Sequence, residues 1–84
     1  MKQYLIACRS LTYAQRSARL LERAGFSAHV MRMPASLLGD GCGYAVKISE
    51  AQLKASVEFL RKKGLSPKKA YLIGPENRFD EASI

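Results

Sequence analysis

The residue best suited to chemistry is Cys42, set in the run Gly39-Asp40-Gly41-Cys42-Gly43. Small neighbours leave its sulfur little shielded and let the backbone turn tightly. A thiol reacts as thiolate, and only where it can be reached. The setting therefore suits a function built on one exposed sulfur. Cys8, the other cysteine, sits in a strand-like alternation and reads as core. Two cysteines make no disulfide scaffold, and without a Cys-x-x-Cys neither a thioredoxin-type dithiol nor a zinc knuckle is expected. His29 is the only histidine, so no Ser/His triad is available.

A thiolate at Cys42 needs nearby positive charge or converging N–H groups. Gly41 and Gly43 are the loop-shaping residues, since successive glycines can form an N–H nest. Arg9 closes the first strand and is the candidate anion stabiliser. Arg32 lies near the end of the second strand, while Asp40 would work against the thiolate. His29, Met31 and Met33 alternate toward one face and with Cys42 make a soft-ligand set. Half-buried packing accounts for them better, and neither a metal nor a cofactor is expected.

The elements that would position this loop follow from periodicity and punctuation. Gln3 to Arg9 reads as a strand with Tyr4, Ile6 and Cys8 on one face and Leu5 and Ala7 on the other. A helix is expected from Tyr13 to Ala24, with Thr12 and Gln15 at capping-box spacing and Gly25 as its stop. Ala14, Ala18, Leu21 and Ala24 share its apolar face, and Arg16, Arg19 and Arg23 its polar one. Ser27 to Met33 is a second strand ended by Pro34, and Tyr44 to Ile48 a third. Ser49 and Gln52 repeat the box spacing before a helix that runs to Lys63, with Leu53, Val57 and Leu60 buried and Gly64 as stop. Lys69 to Ile73 is the fourth strand.

The order β-α-β-β-α-β predicts an α+β, ferredoxin-like split βαβ fold, a four-stranded antiparallel sheet with two helices on one face. Residues 1–74 are expected to form one domain and residues 75–84 a flexible polar tail. The second sheet face would lack helix cover, yet Tyr4, Ile6, Tyr44, Val46 and Ile48 are too apolar for both faces to be wet. A homodimer is the economical answer.

The 84 residues include 14 basic and 7 acidic side chains, a net charge of +7 that favours anionic partners. No run is long and apolar enough for a membrane span, and the start moves straight into a strand-like segment rather than a signal peptide. A soluble cytoplasmic protein is expected.

Cys8-Arg9-Ser10-Leu11-Thr12-Tyr13-Ala14, Leu20-Leu21-Glu22-Arg23-Ala24-Gly25-Phe26, Pro34 and Cys42-Gly43-Tyr44-Ala45-Val46 together resemble a small bacterial family described as putative selenium/sulfur carrier protein-like. The resemblance runs from about Tyr4 to Tyr71. It departs from the family pattern at Cys8, where an aromatic is expected, and at Ala18, where an acid is expected. The resemblance implies a cysteine that carries sulfur or selenium as a persulfide or perselenide, a role that falls on Cys42. It implies a carrier rather than a turnover enzyme. The implied partners are a donor protein such as a cysteine desulfurase and an acceptor protein. The alternative is a non-catalytic binding module for RNA or a protein partner, using the open sheet face and the basic surface. RNA-recognition domains stack bases on aromatics of the first and third strands, where Tyr4 and Tyr44 stand. Arg61-Lys62-Lys63 and Lys68-Lys69 read as solvated ends, with docking of an acidic sulfur-donor protein as the functional option.

Overall fold

The structure, a computed structural model, describes residues 2–34, 43–67, 69–82 and 84. Strand β1 (Gln3–Cys8) leads into helix α1 (Leu11–Arg23), then strands β2 (His29–Arg32) and β3 (Tyr44–Ser49), helix α2 (Glu50–Lys62), strand β4 (Ala70–Ile73), a 3-10 turn at Pro75–Asn77 and strand β5 (Phe79–Ala82). The result is an α+β chain with one five-stranded antiparallel sheet in the order β2-β3-β1-β4-β5. The first six elements follow the expected order. The expectation of four strands is corrected, because the segment read as a polar tail carries β5, which pairs with β4 from Ile73–Phe79 to Ala70–Ala82. Ile84 packs beyond it against the core.

Both helices owe their ends to local chemistry. The Ser10 hydroxyl accepts from the Tyr13 N–H at 3.2 Å, so Ser10 rather than Thr12 caps α1. At the other end the Gly25 N–H donates to the Glu22 carbonyl and the Phe26 N–H to the Leu21 carbonyl, with Gly25 at φ 95°. The run Leu60 to Leu65 repeats this closure around Gly64 at φ 77°. Each is a Schellman stop, with the left-handed position filled by the residue that tolerates it and an apolar pair across the turn. Ser49 flanks α2 as expected, but no side chain caps it. Gln52, read as half of a capping box, instead accepts the Ser27 N–H at 3.1 Å and ties α2 to the approach to β2.

Ala14, Ser17, Ala18 and Leu21 form the buried stripe of α1, and Ser56, Val57 and Leu60 that of α2. Small residues in both stripes let the helices sit close to each other and to the sheet. Ile6, Cys8, Val46 and Ile48 complete this core, with Tyr4, Val30 and Tyr44 packed at its margin. Cys8 and Ala18 both lie in it. A second, smaller cluster of Leu5, Met33, Ala45 and Tyr71 lies on the other sheet face. These four are already buried within the single chain, Leu5 and Ala45 completely. Among the described residues no helix is long and apolar enough to cross a membrane.

Candidate functional site

The antiparallel register brings separate parts of the chain to one end of the sheet. The last β1–β3 pair is Cys8 with Tyr44, and the last β2–β3 pair is Arg32 with Tyr44. One step beyond stand Arg9 and Gly43, followed on the first strand by Ser10, the cap of α1. The Met33 N–H donates to the Gly43 carbonyl at 3.0 Å, and the Ala7 N–H donates to the Lys69 carbonyl at 3.0 Å. Cys42 and Gly41, the expected carrier thiol and one of its two loop-shaping glycines, lie outside the described residues, as does Asp40.

Gly43 is described, and its backbone does not itself require glycine. Its φ is outside the left-handed region, and a Cβ built on it would meet nothing within 4 Å among the described residues.

Arg9 and Arg32 are exposed at this end. The Arg9 guanidinium lies 4.9 Å from the centroid of the Tyr13 ring, a cation–π contact that fixes its direction while leaving its charge in place. Neither arginine has a carboxylate partner among the described residues. The N-terminus of α1 is at the same end and carries no acid in its first turn, so no side-chain charge neutralises the positive pole of its dipole. Two guanidinium groups and a helix pole therefore share the end at which the chain departs toward Cys42.

Cys8 is a core residue, as expected. It is 6% exposed, and its thiol points to the Ile6 carbonyl at 3.6 Å. His29 is exposed, Met31 half-buried and Met33 buried, so the strand alternation reads as packing. No group of three or more metal-ligating His, Cys, Asp or Glu residues occurs among the described residues.

The sheet faces correct one expectation. Tyr4, Ile6, Tyr44, Val46 and Ile48, taken as apolar residues that would leave an open face needing cover, all pack on the helix side. Alternation groups them correctly on one face, through the pairs Tyr4–Ile48, Ile6–Val46 and Cys8–Tyr44. The helices occupy that face, so Tyr4 and Tyr44 do not form a solvent-facing platform for stacked bases. Leu11, at the first position of α1 and 40% exposed, went unnoticed in the sequence because a leucine opening a helix looks like core.

The family model described as "Putative Se/S carrier protein-like" matches residues 3–72, from the start of β1 to within β4. The match leaves out β5. No curated protein and no solved structure matches the chain.

Proposed function

The chain belongs to the Se/S carrier protein-like family, and on that premise we propose that it holds sulfur or selenium on Cys42 as a persulfide or perselenide and relays it to an acceptor. The observation that carries this reading is the family match across residues 3–72, which includes both flanks of the Cys42 segment. The fold we assign to it is the split βαβ arrangement extended by β5.

The chemistry is an exchange without net oxidation. The Cys42 thiolate attacks the terminal sulfur of a donor persulfide. A new S–S bond forms, the donor S–S bond breaks, and its electron pair leaves with the donor thiolate. An acceptor thiolate then attacks the terminal sulfur on Cys42, and Cys42 leaves as thiolate. Both steps need an anionic sulfur at Cys42, once as nucleophile and once as leaving group. The cationic groups at the Gly43 end, Arg9 first among them, favour that state. A reducing cytoplasm, which keeps thiols available, is the compartment this chemistry suits.

The test is a count of sulfane sulfur released by cyanide after incubation with a small-molecule persulfide. The wild type and Cys8→Ala should each carry one labile sulfur per chain, and Cys42→Ser none. Equal loading of Cys42→Ser and wild type would remove the proposal.

A further inference from the structure

One end of the strands is basic. Because β3 ends where α2 begins, and β4 starts level with Ile6 and Ala7, α2 must climb back to the Gly43 end of the sheet. Its C-terminal cations Arg61 and Lys62 thus join Arg9 and Arg32 there, and all four are exposed. The opposite pole carries both signs, Glu22, Glu50 and Glu76 together with Lys2, Arg23 and Arg78. Leu11 opens α1 at the basic pole, and among the described residues it is the one exposed large hydrophobic side chain.

We infer that this pole, with Leu11 as apolar contact and Arg9, Arg32, Arg61 and Lys62 around it, is the docking surface for an acidic face on the protein that delivers sulfur to Cys42. The inference rests on the carrier reading above. An exposed apolar residue at a basic pole fits a protein interface, in which an apolar contact gives affinity and the charges give rate and orientation. Tyr4 and Tyr44, the tyrosines on the strands where RNA-recognition domains stack bases, pack toward the helices and offer RNA no platform on the sheet.

The test compares two sulfur donors on the full-length chain, a persulfide-loaded cysteine desulfurase and a small-molecule persulfide. The variants are the double charge reversal Arg61→Glu/Lys62→Glu and, separately, Leu11→Gln, which removes the apolar contact, keeps a good helix former and adds no charge beside the helix pole. At low salt both should slow loading from the desulfurase about tenfold; loading from the small molecule should be unchanged in Leu11→Gln and should fall by much less than desulfurase loading in the double reversal, whose carboxylates also act on the thiolate. The slowing by the double reversal should shrink as salt rises. Unchanged desulfurase loading, equal slowing from both donors, or a desulfurase that fails to load a chain the small persulfide loads would each overturn the docking surface while leaving the carrier intact. Tight binding of single-stranded RNA that the same charge reversal abolishes, with desulfurase loading unaffected, would overturn it in favour of RNA. Failure of both donors on the wild type would instead remove the carrier reading.

Discussion

The Met33 N–H and the Gly43 carbonyl meet at 3.0 Å across residues 34–42, so one main-chain hydrogen bond joins the two ends of the segment that contains Cys42. Met33→Pro removes the donor and should destabilise the chain by about 1–3 kcal/mol. Met33→Leu keeps both the N–H and the volume of this buried side chain and should stay within about 1.5 kcal/mol of wild type. Urea denaturation checks both. Equal stability of the two variants would mean that the tie contributes nothing.

Ser10 and Thr12 make opposing claims to the cap of α1, and the hydrogen bond to Tyr13 decides for Ser10. Ser10→Ala should cost about 1 kcal/mol, a fall in midpoint temperature of about 4–8 °C for a domain of this size. Thr12→Ala should change stability by less than about 0.5 kcal/mol. Thermal melts in which Thr12→Ala is the more damaging variant would restore the cap to Thr12.

Gly25 and Gly43 should respond oppositely to the same methyl group. Both have room for it, but Gly25 stands at φ 95° and Gly43 does not occupy the left-handed region. Gly25→Ala should lose about 1 kcal/mol, and Gly43→Ala should remain within about 0.5 kcal/mol of wild type. Gly43→Ala is thus a variant in which the surroundings of Cys42 change while the fold does not. A large stability loss in Gly43→Ala, read by chemical denaturation, would contradict the backbone seen there.

Ser56 is fully buried in α2, and its hydroxyl has no hydrogen-bond partner. An unmet buried hydroxyl costs about 1–3 kcal/mol relative to its satisfied state, and alanine is the stronger helix former. Ser56→Ala should therefore stabilise the chain by about 1 kcal/mol. A measured loss of stability would show that the hydroxyl is satisfied in solution.

The helix stops at Gly25 and Gly64 were legible because a left-handed residue followed by an apolar one is a local device, complete within six residues of sequence. The first four strands were legible from alternation. The strand β5 was not, because Phe79-Asp80-Glu81-Ala82 has no apolar alternation and joins the sheet through main-chain pairing at an edge. Alternation also placed Tyr4, Ile6 and Cys8 on one face without saying which face the helices would take, which is a property of the crossovers. Cys42 was legible as a residue type in a glycine setting and by family resemblance. The placement of Arg9, Arg32, Gly43 and α2's terminal cations at one end of the sheet depends on antiparallel register and on the path of α2, and no local pattern records either. Gln52 shows the same limit: its spacing from Ser49 suggested a cap, and its partner is Ser27, 25 residues away.

The most direct measurement is intact-mass analysis after incubation with a cysteine desulfurase and its substrate, on the wild type, Cys8→Ala and Cys42→Ala. A carrier thiol at Cys42 predicts a gain of one sulfur atom on the wild type and on Cys8→Ala, reversed by a reductant and absent from Cys42→Ala. A sulfur adduct that persists in Cys42→Ala and disappears in Cys8→Ala, or no adduct on any of the three from either the desulfurase or a small-molecule persulfide under conditions that load another carrier, would contradict it.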